Sequence, residues 1–159
     1  MSNSVRPTDC EEVLTAYGNM LFRLCLVTCG NPADAEDALQ ETLLKYLQRA
    51  PKFLTEEHRK AWLIRVATNC CRDLLRHRTR HPSVVWEDLS STPLQEEENR
   101  LLDILLTLPE KFRGVLVLHY LEGYGTAEIA KMIGKTPSAV KMRLKKGREL
   151  LRNAYERSE

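Results

Sequence analysis

Apolar residues recur every three or four positions along nearly the whole chain, and strict alternation is nowhere sustained, so helices are expected and strand signals are weak. From about Cys10 to Cys29, Leu14, Tyr17, Leu21, Leu24 and Thr28 fall on one stripe, which Gly30, Asn31 and Pro32 interrupt. A second helix is predicted from near Pro32. Proline suits its first turn, and Asp34, Glu36 and Asp37 suit the positive end of its dipole. Its apolar stripe is Ala35, Ala38, Leu39, Thr42, Leu43, Tyr46 and Leu47, and Pro51 ends it. A loop over Ala50 to His58 leads to a third helix, about Glu57 to Thr79, with Trp62, Val66, Ala67, Cys70 and Leu74 on its apolar side. Pro82 closes this half. Ser83 to Leu94 is polar and little periodic, interrupted only by Val84, Val85 and Trp86, and reads as a linker. Helices are then predicted over about Gln95 to Thr107, onward from the Leu108-Pro109 break to Leu121, over Thr126 to Ile133, and from Pro137 to about Arg157. No internal repeat is present. The expected fold is all-α: two small helical domains, residues 10–81 and 95–157, joined by a flexible linker, residues 82–94.

The formal net charge of +2 hides blocks of opposite sign. Asp34 to Glu41 holds four acids and no base, while Arg65 to Arg80 holds five arginines against Asp73. Val84 to Ile104 holds six acids against Arg100, and Thr126 to Glu159 holds nine Lys and Arg against four acids. Basic blocks suit a polyanion and acidic blocks suit a basic protein partner. On the third helix, Arg65, Asn69, Arg72 and Arg76 follow the offsets 0, 4, 7 and 11, which place them on one face.

The N-terminus lacks a signal-peptide pattern and no apolar run approaches bilayer length, so a cytoplasmic protein without membrane insertion is expected. The five cysteines, Cys10, Cys25, Cys29, Cys70 and Cys71, make a poor disulfide framework. Cys25 and Cys29 can share a helix face, which leaves zinc or a redox pair open beside the plainer reading of small buried apolar residues in a reduced compartment. Cys70 and Cys71 point to different faces. No Gly-rich phosphate loop, nucleophile motif or metal-spaced histidine cluster is found, and His58, His77, His81 and His119 are scattered. Neither an enzyme nor a cofactor is expected.

The segment Thr126 to Leu144, TAEIAKMIGKTPSAVKMRL, meets each requirement of a helix-turn-helix for a separate physical reason. Ala130 is small where the two helices must touch. Gly134, four positions on, accepts a positive φ in the turn. Thr136 suits the N-cap and Pro137 the first helical position. Val140 is the apolar anchor, continued by Leu144, Gly147 and Leu151. The opposite side is basic. Thr136, Ser138, Lys141, Met142, Arg143, Lys145 and Arg148 are the candidate DNA contacts, with base readout expected from Ser138, Lys141 and Met142 near the helix start and much of the charge spent on phosphates. By itself this motif is equally compatible with a stand-alone repressor or activator carrying a helical dimerisation domain, which binds palindromic duplex without help.

The first half distinguishes these. Asp34-Ala35-Glu36-Asp37-Ala38-Leu39-Gln40-Glu41-Thr42 is followed some twenty residues later by Ala61-Trp62-Leu63-Ile64-Arg65-Val66-Ala67-Thr68-Asn69 and Asp73-Leu74-Leu75-Arg76. Leu108-Pro109-Glu110-Lys111-Phe112-Arg113 and Glu122-Gly123 then precede the helix-turn-helix. In this order and spacing the chain resembles, from about Val13 to Arg152, the extracytoplasmic-function RNA polymerase sigma factors of the sigma-70 superfamily. The resemblance implies that Asp34, Asp37, Gln40 and Glu41 meet the β′ clamp helices of bacterial core RNA polymerase. It implies that Arg65, Asn69, Arg72 and Arg76 track the strand opened at the promoter −10 element, with the Ala50–Lys60 loop holding a flipped base. It further implies that the helix-turn-helix reads the −35 duplex, that Glu110 to Leu121 supports contact with the β flap, and that an anti-sigma factor is a further candidate partner. Three departures stand out: Thr42-Leu43-Leu44 lacks an aromatic residue common there, Gly125 replaces a Ser or Thr cap, and Met142 replaces a small polar residue.

Overall fold

A computed structural model describes residues 7–77 and 96–158 of the chain. Among the described residues there are only helices and the turns between them. They are α1 (Pro7–Cys29), α2 (Pro32–Arg49), α3 (Glu56–His77), α4 (Glu96–Leu105), α5 (Glu110–Leu116), α6 (Thr126–Ile133) and α7 (Pro137–Ser158). A π-helical turn, Val117–Leu121, continues α5. The linker expected over residues 82–94, with Val84, Val85 and Trp86, lies outside the described residues, as does His81.

Helix α2 begins where the sequence placed it, and the reason is Asn31 as much as Pro32. Asn31 is extended, and its Oδ1 accepts a hydrogen bond from the Asp34 backbone N–H at 2.9 Å. Its amide Nδ2 in turn donates to Asp34 Oδ2 at 2.7 Å. One otherwise orphaned helix N–H is satisfied in this way. Thr136 does the same for α7, its Oγ1 accepting from the Ala139 N–H at 3.1 Å. At α6 the cap is built from the other side. Gly125 has no side chain to offer, but Glu128 Oε2 accepts from the Gly125 N–H at 3.1 Å, so the glycine departure is partly compensated.

Two of the predicted apolar stripes are rotated. Val13 is fully buried whereas Leu14 is 44% exposed, so α1 turns its core side through Val13, Leu21, Leu24, Cys25 and Val27. In α3 the buried residues are Leu63, Ile64, Ala67, Thr68, Cys70 and Cys71, while Trp62, Val66 and Leu74 are half-buried. The physical cause is packing on more than one side. Helix α3 lies against α1 and α2 and also against α6, so its buried arc is wider than a single stripe.

The second half is built on α5, α6 and α7, with α4 against α7. Gly147 allows the closest approach: an added Cβ there would stand 3.2–3.3 Å from three side-chain atoms of Leu116. The two halves also pack on each other. Helix α1 meets α5 and α3 meets α6, and the buried residues of both halves form one continuous core.

Candidate nucleic-acid interface and protein-binding face

The helix-turn-helix has the geometry its sequence required. Ile129, Ala130, Met132 and Ile133 are buried on α6, and Val140, Leu144 and Gly147 are buried on α7. Gly134 closes α6 in the left-handed region, at φ 68° and ψ 39°, and its N–H donates to the Ala130 carbonyl. A Cβ there would be strained, which is why a glycine stands at this turn. On the far side of α7, Thr136, Ser138, Lys141, Met142, Lys145 and Arg148 are exposed. Met142 is 74% exposed, the largest apolar surface on that face. Arg148 Nη1 donates to the Tyr120 hydroxyl at 3.2 Å, which ties the recognition helix to the π-helical turn and fixes where this cation stands.

Arg143 departs from the expectation. It is half-buried and lines an 80 Å³ cleft between the halves, with Arg72, Thr68, Glu110 and Lys111. It follows Val140 by three residues and adjoins Leu144, so it flanks the buried seam of α7 and turns toward α5 and α3, and it is not available as a base reader in this arrangement.

The acidic helix also divides differently from its reading. Asp34 is 1% exposed and engaged by Asn31, so it is a buried helix-start residue and not part of a contact surface. Asp37, Gln40 and Glu41 are exposed together, one turn apart. Leu44 continues their row and is 48% exposed. Sequence periodicity placed Leu44 off the core stripe but gave it no role. Isolated apolar exposure inside an acidic, Gln-bearing face is the signal that marks it.

On α3, Arg65, Asn69 and Arg76 are exposed as expected. Arg72 is not: it is half-buried and donates from Nη2 to the Ile133 carbonyl at the end of α6. The segment before α3 carries an aromatic cluster. Tyr46 and Phe53 stack at 6.2 Å, Trp62 meets both edge-on at 6.0 and 5.8 Å, and His58 meets Phe53 edge-on at 5.2 Å. Trp62 is thus a half-buried member of this aromatic cluster, packed against the edge of the core. Leu54, at the tip of this loop, is 92% exposed. Tyr17 ties α1 to the start of α3 by donating to Glu56 Oε2 at 2.7 Å. Burial, with that hydrogen bond, pushes its phenol up to about 12.

All five cysteines are free thiols. Cys71 lies within hydrogen-bonding reach of Cys25 and Cys29, and those contacts, with burial, raise its thiol well above the ordinary range. Such a thiol is protonated and poorly reactive. Among the described residues no group of three or more His, Cys, Asp or Glu is placed to hold a metal ion, and no helix is long and apolar enough to cross a membrane.

Comparison with known proteins agrees with this geometry. Sigma-70 region 2 matches residues 13–81 and sigma-70 region 4 matches residues 98–151. The ECF RNA polymerase sigma factor SigM of Mycobacterium tuberculosis is 30% identical over 145 residues, which cover 89% of this chain and 74% of SigM. SigL of the same species is 36% identical over 139 residues, covering 80% of this chain and 78% of SigL. SigW of Bacillus subtilis is 26% identical over 160 residues, covering 89% of this chain and 86% of SigW. Among solved structures, the sigma factor RpoE of Bartonella quintana, crystallised with the anti-sigma factor NepR, has a TM-score of 0.70 at 20% identity, covering 94% of this chain and 98% of RpoE. The chain belongs to the ECF sigma factors of the sigma-70 superfamily.

Proposed function

We propose that this chain divides the work of a sigma factor among three of its own faces. A sigma factor binds core RNA polymerase and directs it to start transcription at promoters. Here the exposed row Asp37, Gln40, Glu41 and Leu44 on α2 supplies the contact with the β′ clamp helices, acidic at its rim and apolar at one point. Arg65, Asn69, Arg72 and Arg76 on α3 track the opened −10 strand, with the loop carrying Phe53 and Leu54 beside them. Extruding a base costs roughly a few kcal/mol, which stacking and hydrogen bonds in that loop must offset. Thr136, Ser138, Lys141, Met142, Lys145 and Arg148 on α7 read the −35 duplex, and α5 with its π-helical turn faces the β flap. Residues 10–81 then act as the region 2 unit, 82–94 as the linker and 95–157 as the region 4 unit.

The observation that carries this reading is the segregation of charge on a helix-turn-helix scaffold. One exposed helix face is acidic and another is basic and pre-capped, on the same small chain. A stand-alone repressor needs the basic face only. The chain itself performs no chemistry in this scheme. It lends recognition to a polymerase in the cytoplasm, without a cofactor. RpoE of Bartonella quintana is held by an anti-sigma factor, and a protein of that kind, covering the same acidic and basic faces, is the regulator proposed for this chain.

Run-off transcription with bacterial core polymerase tests it. Promoter-specific transcripts from genomic templates should require this chain, and core polymerase should be retained by it in a pull-down. Absence of both results, or a tight gel shift on palindromic duplex without polymerase, rejects the assignment.

A further inference from the structure

The 80 Å³ cleft that Arg143 lines carries unbalanced charge. Arg72 of α3, Lys111 of α5 and Arg143 of α7 bring three cations to it, against the single carboxylate of Glu110. Arg72 is tied by Nη2 to the Ile133 carbonyl. Arg143 is half-buried, yet its guanidinium has neither a hydrogen bond nor an ion pair among the described residues. A cation drawn partly out of water without a counter-charge is costly, and more so beside others of its own sign. Thr68 adds an independent signal. It is 9% exposed, and its buried Oγ1 has no hydrogen-bond partner among the described residues. Buried hydroxyls are normally satisfied, and Thr28 and Thr42 show the usual way in a helix, each donating to the carbonyl four residues back. Thr68 makes no such bond and lines the cleft instead.

We propose that this cleft is a binding site for one inorganic phosphate ion. Arg143 supplies the open guanidinium fork, Thr68 a hydroxyl donor from the buried side, and Lys111 a cation at the exposed mouth. One water needs roughly 10–15 Å³ of such space, so 80 Å³ admits a single tetrahedral ion with little water beside it. Much of the remaining lining is apolar, which strengthens each charge–charge interaction inside. Glu110 decides which anion is held. Near neutral pH orthophosphate keeps a proton, and the oxygen that bears it can donate to the Glu110 carboxylate. Sulfate has no such proton and meets Glu110 only as a like charge, so it is held less tightly. The inference adds to the promoter-reading scheme and does not depend on it: Arg72 keeps its tie to Ile133, and Arg143 has no place among the faces assigned above.

Thermal unfolding of the full chain, followed by circular dichroism at constant ionic strength, tests the site with sodium phosphate as the probe. Concentrated phosphate stabilises proteins generally by exclusion from their surfaces, so the response has to saturate in the low millimolar range. For a dissociation constant of about 1 mM, 10 mM phosphate should raise Tm by roughly 3–6 °C. Sulfate should give a smaller rise, and Arg143→Gln should lose most of the phosphate response. Thr68→Val should lose part of it while being no less stable than the native chain without phosphate, because it removes an unpartnered buried hydroxyl at nearly constant shape. That variant decides the matter alone if Arg143→Gln does not fold. Lys146→Gln, at an exposed lysine of the same helix, should respond as the native chain does.

Glycerol phosphate distinguishes the free ion from the end of an organic ester, because its dianion has lost the last phosphoryl proton. A weaker rise than with orthophosphate supports the free ion. An equal rise overturns the part given to Glu110 and assigns the cleft to a phosphate ester, and an equal rise with sulfate overturns the assignment to phosphate. The site itself is overturned by the lack of a saturable rise, by a rise that Arg143→Gln and Thr68→Val both keep, or by one that Lys146→Gln loses equally.

Discussion

Two helical glycines, Gly114 and Gly147, allow a prediction in which local propensity and packing are separable. In a helix interior, Gly→Ala gains about 0.8–1 kcal/mol from reduced backbone freedom. At Gly147 the new Cβ would meet Leu116 Cδ1 at 3.2 Å and its Cδ2 and Cγ at 3.3 Å. Leu116 is buried and belongs to the shared core, so it cannot swing away without disturbing other contacts. Overpacking of this kind costs about 1–3 kcal/mol. The two effects leave Gly147→Ala less stable than the native chain by roughly 1 kcal/mol, or about 2–4 °C in Tm for a chain of this size. At Gly114 the Cβ would meet only Thr28 Oγ1, at an ordinary 3.5 Å, so Gly114→Ala should keep its propensity gain and raise Tm by a similar amount. Thermal and urea unfolding followed by circular dichroism would measure both. The reasoning fails if Gly147→Ala is as stable as the native chain, since Leu116 would then be free to yield and the α5–α7 contact would not be tight. It fails equally if both variants move in the same direction.

Further outcomes follow from the three faces. Lys141→Ala should weaken −35 recognition selectively, by about 1–3 kcal/mol at one position of the site, whereas Arg148→Ala should weaken all duplexes alike and reduce the salt slope by about one; competition binding with point-substituted duplexes at several salt concentrations separates the two. Asp37→Lys combined with Glu41→Lys should reduce core polymerase affinity by about tenfold, which is about 1.4 kcal/mol, and most strongly at low salt; fluorescence anisotropy with labelled chain reads this, and unchanged affinity removes α2 from the interface. Tyr124 is buried, its phenol is pushed up to about 12 by burial and by Glu57 and Glu122, and its hydroxyl has no hydrogen-bond partner among the described residues. Because its folded value lies above the ordinary 10.0, its neutral form contributes stability fully below pH 10, and that contribution is lost as pH rises through about 12. Tyr124→Phe should therefore match the native chain at neutral pH and outlast it above pH 10 in urea unfolding; an unchanged alkaline profile would contradict the assignment.

The helix-turn-helix was legible in the sequence because each of its requirements is local. Gly134 needs a positive φ, Thr136 a nearby N–H, Val140 a neighbour four residues from the cap, and none depends on distant chain. The element order was legible for the same reason, from Gly30-Asn31-Pro32, Pro51 and Leu108-Pro109. What periodicity misplaced was the phase of α1 and α3, and there the cause is tertiary. Val13 replaces Leu14 in the core, and Leu63 and Ile64 displace Trp62, because these helices are covered on more than one side. Asp34 reads as one more surface acid until Asn31 is seen to hold it, and the charge count alone has no means to separate a buried cap from Asp37 three residues on. Arg72 and Arg143 share a face pattern with exposed neighbours, yet both turn into the junction between the halves. No single-helix pattern contains that junction, so no sequence offset could locate it.

The distribution of thiols has a practical consequence. All five cysteines fall in the first half, and four of them are buried, with Cys71 of α3 set against Cys25 and Cys29 of α1. Beyond its reaction with the half-buried Cys10, a thiol reagent is therefore a clock that ticks only when the first half opens. The two halves share one core, so under native conditions modification of these four should wait on global unfolding if the chain is a single cooperative unit. If the first half opens alone, the thiols should react while the tyrosines of the second half still report a folded environment. Without any introduced label, the chain thus records how its two halves divide their stability between them.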